Sequence, residues 1–153
     1  MQISSLLDAH ESKAERTQSN LRKHFDLIRK TVGMASLKDT AGRLLALPTE
    51  GDEWLATAVD TFRRGSPTSA ALAWELQHRC RHRSLADVFR IEYNVAISCC
   101  AAHDFAEGVR ALLIDKDRSP KWDPPTLAAV EQKFIESHFR DHHDGAHPLS
   151  DWR

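Results

Sequence analysis

Two cysteines and a histidine in the second half of the chain have the spacing of a nucleophile and its base. Cys99 and Cys100 precede His103 by three or four residues, so that an imidazole could take a proton from a thiol on the same helix. Both cysteines lie in an apolar helical stretch, where burial keeps a thiol protonated and inert. We therefore expect a structural role for these cysteines.

A histidine-rich tail has side chains that could ligate a divalent metal. It contains His138, His142, His143 and His147 beside Asp141 and Asp144. Positions 138 and 142 would share a helical face if the last helix extended that far. Gly145 and Pro148 indicate a loop instead, and nothing in the pattern fixes a third ligand. We expect no functional metal and no cofactor.

The stretch from Asp104 to Trp122 combines an amphipathic helix with a charged, proline-bounded segment. Apolar residues recur at helical spacing up to Ile114, and a charged run follows as far as Pro120, which ends any helix. Trp122 then stands between Pro120 and Pro124, so that a large aromatic side chain is held beside fixed charges.

Residues 104–125 read DFAEGVRALLIDKDRSPKWDPP. This stretch resembles the C-terminal signature of the 3-hydroxyisobutyryl-CoA hydrolases, a branch of the enoyl-CoA hydratase/isomerase (crotonase) superfamily. SPTS at 66–69 and SLADVFRIEY at 84–93 are similar to further family segments in the same order. The likeness runs from about residue 20 to about residue 139 and covers only the C-terminal part of such an enzyme.

The resemblance implies hydrolysis of a short branched 3-hydroxyacyl-CoA thioester in valine catabolism. Such enzymes use carboxylates and oxyanion-hole amides of a larger N-terminal core of strands and helices, which has no counterpart in this sequence. The resemblance therefore implies an acyl-CoA partner, no catalytic residue in this chain and no activity of the chain alone. The alternative is a non-catalytic helical module that docks on a separate core chain or on a second copy of itself.

The resemblance also assigns expected roles within the signature. Its structural residues are Asp104, Phe105, Glu107, Gly108, Arg110, Asp115, Asp117 and Pro120. Lys116 would approach the nucleotide end of CoA, although Asp115 and Asp117 could bind it in competing salt bridges. Trp122 is either a packing anchor or a surface on which adenine stacks. Glu107 and Arg110 could pair locally or fix the helix against the core, and close packing would explain the mid-helix Gly108.

The elements that must position these residues are all helical, because no strand alternation or tight hairpin signal is found. We predict an all-α irregular bundle of about six or seven helices without the ββα spiral core. The predicted helices run from residue 17 or 19 to Gly33, from Ser36 to Pro48, from 52 to 64, from 66 to about 80, from 84 past Cys100, through the signature, and from 126 to 139. Gly65 is expected to be a left-handed cap.

The predicted organisation is a linker or frayed helix at 1–16, a helical domain at 17–140 and the histidine-rich tail at 141–153. With a net charge of −1 and a pI near 6.7, the chain is not expected to bind nucleic acid or membranes. Three cysteines, no secretory signal and no apolar run of about 20 residues favour a cytoplasmic protein.

Overall fold

The computed structural model describes residues 19–33 and 36–152, and these fall into two compact units, residues 19–33 and residues 36–152. The described residues form α-helices, short turns of other helix types and loops, with no β-strand. The predicted all-α class is confirmed. The predicted linker at 1–16 lies outside the described residues.

The first unit contains two short helices, α1 (Asn20–Lys23) and α2 (Phe25–Val32). The sequence predicts one continuous helix here, and this is wrong at His24, whose φ of −100° and ψ of 10° interrupt the helical backbone. Hydrogen bonds of helical spacing still span the break, because the His24 N–H donates to the Asn20 carbonyl and the Ile28 N–H donates to the His24 carbonyl.

The second unit contains six α-helices and two turns of other helical types among the described residues. These are α3 (Leu37–Leu45), α4 (Glu53–Arg64), α5 (Pro67–Cys80), α6 (Leu85–Ala101), α7 (His103–Val109), a π-helical turn (Arg110–Ile114), a 3-10 turn (Leu127–Ala129) and α8 (Gln132–Ser137).

Four of these helices begin at side-chain caps. Ser36, Asp52, Ser66 and Ser84 each accept a hydrogen bond from the backbone N–H three residues later. Such a cap satisfies one of the N–H groups that the first helical turn leaves without an intrahelical partner. Local side-chain chemistry therefore fixes where α3, α4, α5 and α6 start.

Two predictions about helix ends are wrong. Gly65 has a φ of −70° and a ψ of 162°, so α4 ends in extended backbone and not in a left-handed cap. The predicted helix from 126 to 139 is divided into the 3-10 turn and α8, because Val130 and Glu131 are extended. Neither residue is a proline or a glycine, so the sequence carries no local signal for this break.

The core of the second unit lies where α5 packs against α6, α8 and the 3-10 turn. Ala71, Leu72, Val95 and Ile135 are its buried side chains, and Ile135 is only 2% exposed. Burying apolar surface in this way is the main favourable term in folding. The core fixes the amino-terminal end of α5 and the carboxyl-terminal end of α6, which flank the site described below.

Residues 141–152, here called the C-terminal strap, lie along α6. The Arg90 guanidinium donates to the carbonyls of Leu149 and Trp152, and the Asn94 amide donates to Asp141 at 2.8 Å. Phe89 also meets Trp152 edge to face, with ring centroids 5.3 Å apart. The tail has no helix, as its Gly and Pro residues predict, but it has a defined path.

Because α8 ends at Ser137, residues 138 and 142 do not share a helical face. Instead, His138 is buried and donates from Nδ1 to the Phe134 carbonyl, whereas His142 contacts the Ser98 hydroxyl. Within residues 19–33 and 36–152 no three His, Cys, Asp or Glu side chains meet in a way that could hold a metal ion. Over the same residues, each helix is too short or too polar to cross a bilayer.

Candidate functional site

An arginine at the carboxyl end of α7 gathers three carboxylates. Arg110 binds Glu107 through two parallel hydrogen bonds of 2.8 Å, from Nε to Oε2 and from Nη2 to Oε1. Its Nη1 also lies 2.6 Å from Asp115 and 2.7 Å from Asp117. We call these four residues the Arg110 cluster. The paired fork geometry is the strongest that arginine forms with a carboxylate.

The Arg110 cluster shapes the charged loop that follows the π-helical turn. Lys116 and Arg118 have φ values of 57° and 55°. This left-handed backbone conformation is unfavourable for residues other than glycine. Both aspartates of the loop nevertheless reach Arg110, and the Arg118 N–H donates to the Ala111 carbonyl at 3.0 Å. These contacts hold two unfavourable residues in a fixed turn.

Backbone groups complete the cluster. The Lys121 N–H donates to Glu107 Oε1 at 2.7 Å, and the Ser119 N–H donates to Asp117 Oδ1 at 2.8 Å. Glu107 is only 9% exposed, so its charge needs such partners. The cluster thereby ties the segment after the loop back to α7.

The electrostatic effect on the acidic groups is large. Hydrogen bonds from Arg110, followed by the Lys121 N–H, lower the pKa of Glu107 to about 2. Arg110 and then the Ser119 N–H also lower the pKa of Asp117, and the carboxylates raise the pKa of Arg110. With their pKa values lowered in this way, Glu107 and Asp117 are ionised near neutral pH and are poorly suited to act as general acids there.

A second set of contacts joins α7 to the start of α5 and to the proline-bounded segment. Asp104 accepts from the Ser66 hydroxyl and, at 2.9 Å, from the Asp123 N–H. The Trp122 indole N–H donates to the Arg64 carbonyl at 2.8 Å. A Cβ atom built on Gly108 would lie 3.4 Å from the Trp122 ring, so the close neighbour of this glycine is an aromatic side chain and not another helix.

These contacts border an open groove of about 540 Å³, a volume typical of small-molecule sites. Most of its surface is apolar. Its lining includes Leu72, Cys99, Phe105, Gly108, Val109, Ala111, Leu112, Leu113, Pro120 and Trp122, with Arg64, Ser66, Thr68, Ser69, Asp104, Arg118 and His138 among the polar members. We call this feature the apolar groove.

The rim of the apolar groove continues into an exposed apolar surface. Phe105, Leu112, Leu113 and Ile114 are 53%, 63%, 62% and 69% exposed. Helical spacing places these residues together, but the described part of the chain does not bury them. Adjacent exposed side chains of this size are typical of a surface that meets a ligand or another protein.

In the part of the chain that the structure describes, neither Cys99 nor Cys100 is hydrogen-bonded to His103. His103 Nε2 lies 2.9 Å from the Lys121 carbonyl and so is engaged with the loop. Burial raises the pKa of Cys99, which keeps its thiol protonated. These observations support the structural role that the sequence predicts.

The known proteins that this chain resembles agree on one family. The family model described as enoyl-CoA hydratase/isomerase matches residues 1–139. The chain belongs to this family. Among solved structures, a carnitinyl-CoA dehydratase from Mycobacterium thermoresistibile is similar with a TM-score of 0.73, at 28% identity over 91% of this chain and 38% of that one. An enoyl-CoA hydratase from Rhodobacter sphaeroides 2.4.1 has a TM-score of 0.70, at 27% identity over 90% and 40%.

The curated relatives of this chain include proteins named for one activity of the enoyl-CoA hydratase/isomerase family. Proteins named mitochondrial 3-hydroxyisobutyryl-CoA hydrolase from Danio rerio and Homo sapiens are each 32% identical over 90% of this chain. The chain spans 36% of the length of either relative. Their names place these relatives in mitochondria and so give no support to the predicted cytoplasmic location.

The structure brings together most of the signature residues singled out from the sequence. Glu107, Arg110, Asp115 and Asp117 form one cluster, while Trp122 lines the apolar groove. Lys116 is exposed and is not among the residues that line the groove, so its contact with CoA stays a prediction.

Sequence reasoning missed three residues at this site, Ser66, Arg64 and Arg118. Ser66 caps α5 by accepting from the Ser69 N–H, and its hydroxyl also donates to Asp104, 38 residues away. The Arg64 carbonyl accepts from the Trp122 indole N–H, 58 residues away. For Arg118 a signal existed, because it follows Lys116 by two residues in the same charged run.

Proposed function

We propose that this chain supplies the C-terminal helical part of an acyl-CoA thioester hydrolase similar to 3-hydroxyisobutyryl-CoA hydrolase. The observation that carries the proposal is the apolar groove beside the family signature, which Trp122 and the Arg110 cluster border. The names of the curated relatives support the thioester substrate, and through it a role in valine catabolism.

In this proposal the chain contributes binding surface and no reacting group. Glu107, Asp115 and Asp117 are all engaged by Arg110, and the groove-lining Asp104 accepts hydrogen bonds from Ser66 and Asp123. These four carboxylates are thus engaged by partners within the chain. The acid, base and oxyanion groups would come from a core of strands and helices that lies outside this sequence.

The test is calorimetric titration of a short acyl-CoA, such as isobutyryl-CoA, into the full 153-residue chain. Leu112→Asn places a polar group in the groove lining, while Ile114→Asn makes the same kind of change at an exposed residue outside it. We expect saturable binding that Leu112→Asn weakens about 5-fold or more, given the apolar area it removes, and that Ile114→Asn leaves nearly unchanged.

Two results would contradict this proposal. The first is equal loss of affinity in both variants, which would separate binding from the groove. The second is hydrolysis of 3-hydroxyisobutyryl-CoA above background by the chain alone, which would mean that reacting groups are present in it.

The second candidate function is a non-catalytic docking or oligomerisation module that acts with a separate core chain. The exposed apolar residues Phe105, Leu112, Leu113 and Ile114 favour it. Light scattering distinguishes its self-association form, because a second copy on this surface gives a dimer that Ile114→Asn and Leu113→Asn dissociate. A monodisperse monomer that binds no apolar dye would count against this candidate.

A further inference from the structure

The C-terminal strap lies beyond residue 139, where the match to the family model ends. Membership of the family therefore does not account for its path along α6. Within the strap, the N–H groups of Ser150 and Trp152 donate to the carbonyls of His147 and Leu149, at 2.8 and 3.3 Å. These bonds make two successive turns, and the first of them starts at His147.

The hydrogen bonds of His147 are those of a neutral imidazole. Its Nδ1 accepts from the Leu149 N–H at 3.0 Å, and a backbone N–H can only donate, so Nδ1 carries no proton. Its Nε2 lies 3.3 Å from the Arg90 carbonyl, which can only accept, so the single proton is on Nε2. A second proton, on Nδ1, would set two donors against each other. The turn in the strap therefore requires the neutral form of His147.

A second histidine contact between the strap and α6 has the opposite polarity. The Ser98 hydroxyl donates its only proton to the His138 carbonyl at 3.1 Å, so it accepts from His142 Nε2, which lies 2.6 Å away. Because His142 is the donor here, a proton added to its other nitrogen leaves this bond in place. Acid should therefore break the contact of His147 and preserve that of His142.

The charged groups around His147 carry no net positive charge. A hollow of about 500 Å³ lies between the end of α5, α6 and the strap, and His147 lines it. The charged side chains that share this lining are Arg79, Arg83, Asp87, Arg90 and Asp141. Arg90 pairs with Asp87, and Arg79 pairs with Glu75 and Glu136 outside the lining. Three arginines thus face four carboxylates, so a proton on His147 meets no repulsive net charge.

The other groups that contact His147 are aromatic rings. Tyr93 of α6 and His143 of the strap meet its ring edge to face, with centroids 5.2 and 4.7 Å away. His147 is only partly buried, so water can deliver a proton to it. Among the described residues no carboxylate forms an ion pair with His147. The bond to Leu149 is therefore the contact that links its protonation to the strap.

We propose that the C-terminal strap is a pH-sensitive cover of α6, which is closed while His147 is neutral and is released when His147 is protonated. Histidine is the side chain that ordinarily changes its charge between about pH 5 and 8. Protonation breaks the Leu149 bond and with it the turn that brings the carbonyls of Leu149 and Trp152 to Arg90. Closure is thus complete at the alkaline end of this range and is lost as the pH falls. The apolar groove and its ligand take no part.

The test follows amide hydrogen exchange of the full chain between pH 8 and 5, expressed relative to the intrinsic rate at each pH. His147→Asn replaces Nδ1 with an amide oxygen, which can accept from the N–H two residues later but does not bind a proton in this range. His142→Gln is the matched control, because its side-chain N–H can donate to Ser98 as Nε2 of His142 does. Each variant removes one histidine from the strap.

We expect the protection of the Leu149 and Ser150 amides in the wild-type chain to fall about 5-fold or more from pH 8 to 5, as the loss of one ordinary hydrogen bond would give. In His147→Asn the change should be less than about 2-fold, whereas His142→Gln should follow the wild type. The amide of Val95, a core residue of α6, should stay protected throughout. This last result separates release of the strap from unfolding.

Unchanged protection of Leu149 in the wild-type chain would overturn the proposal, as would an equal loss in His147→Asn. A parallel loss at Val95 would also overturn it, because the effect of acid would then be unfolding. If His147→Asn is already open at pH 8, an NMR titration of the wild-type chain decides. The ring protons of His147 and the amide of Leu149 must then share one midpoint, and separate midpoints would contradict the proposal.

Discussion

Two arginines each organise an irregular segment of this chain, and they do so at very different ranges. Arg110 binds three carboxylates that all lie within seven residues of it. Arg90 binds one neighbouring carboxylate, Asp87, and backbone carbonyls of the C-terminal strap about 60 residues away. The first contact set belongs to the family signature, whereas the second depends on the completed fold. Local charge patterns can therefore be interpreted from the sequence, while contacts made after folding cannot.

Loss of Arg110 should have the largest effect in either region. Arg110→Met removes the common counter-charge of Glu107, Asp115 and Asp117, so these carboxylates repel one another and the loop opens. We expect the largest fall in thermal midpoint among the variants discussed, and amide exchange at Ser119 and Lys121 at least about 10-fold faster. Arg81→Met, at an exposed residue after α5, is the control. Unchanged exchange at Ser119 would show that the cluster does not hold the loop.

Loss of Arg90 should release the strap and leave the loop intact. Arg90→Ala removes hydrogen bonds to the carbonyls of Leu149 and Trp152, and we expect the free energy of unfolding to fall by about 1–2 kcal/mol. Hydrogen exchange should accelerate at Leu149 and Ser150 but not at Ser119. Acceleration in both segments would mean that the two regions are not independent.

Acid should distinguish the two regions as well. The pKa of Glu107 is lowered to about 2, below its ordinary value of about 4.3. Its contribution to stability is therefore complete above about pH 5 and is lost as the pH falls towards 2. Glu107→Gln should lower the thermal midpoint at pH 7 and flatten its decline between pH 5 and 2.

Asp87 provides the comparison for that titration. Its pKa is also lowered, first by the Ser84 hydroxyl and then by Arg90, but its carboxylate is more exposed than that of Glu107. We expect Asp87→Asn to flatten the decline of the thermal midpoint between pH 5 and 2 less than Glu107→Gln does. The reverse order would mean that the Asp87–Arg90 pair, and not the Arg110 cluster, dominates acid sensitivity.

The smallest expected effect concerns the glycine beside the cluster. A Cβ at Gly108 would meet the Trp122 ring at 3.4 Å, an ordinary van der Waals contact. Gly108→Ala should therefore be tolerated and could raise the free energy of unfolding by up to about 1 kcal/mol through helix propensity. Gly108→Leu should displace Trp122 and lower the thermal midpoint. Equal midpoints for both variants would show that the indole does not pack on α7.

The parts of the fold that follow from the sequence are those set by neighbouring residues. The caps at Ser36, Asp52, Ser66 and Ser84 and the Glu107 pair with Arg110 all involve residues three apart, so their spacing is visible in the sequence. The all-α class follows in the same way from helical periodicity. No comparable signal marks the break at His24 or the extended backbone at Val130.

The apolar groove could be predicted only in part. Trp122 and the charged run stood out by composition, but two non-glycine residues in the left-handed conformation could not be anticipated, because local preference opposes them. One of these two residues, Arg118, lines the groove. Similarly, the bond of Ser66 to Asp104 needs the packing of α5 beside α7 to exist first.

Occupation of the apolar groove by an acyl-CoA is tested most directly in the indole region of a proton–nitrogen NMR spectrum. The chain has four tryptophans, of which Trp122 lines the groove and donates its indole N–H to Arg64. Trp122→Phe assigns its resonance. During titration with isobutyryl-CoA, we expect the Trp122 indole signal to shift to saturation while those of Trp54, Trp74 and Trp152 stay in place. A shift confined to another tryptophan, or no shift at all, would contradict it.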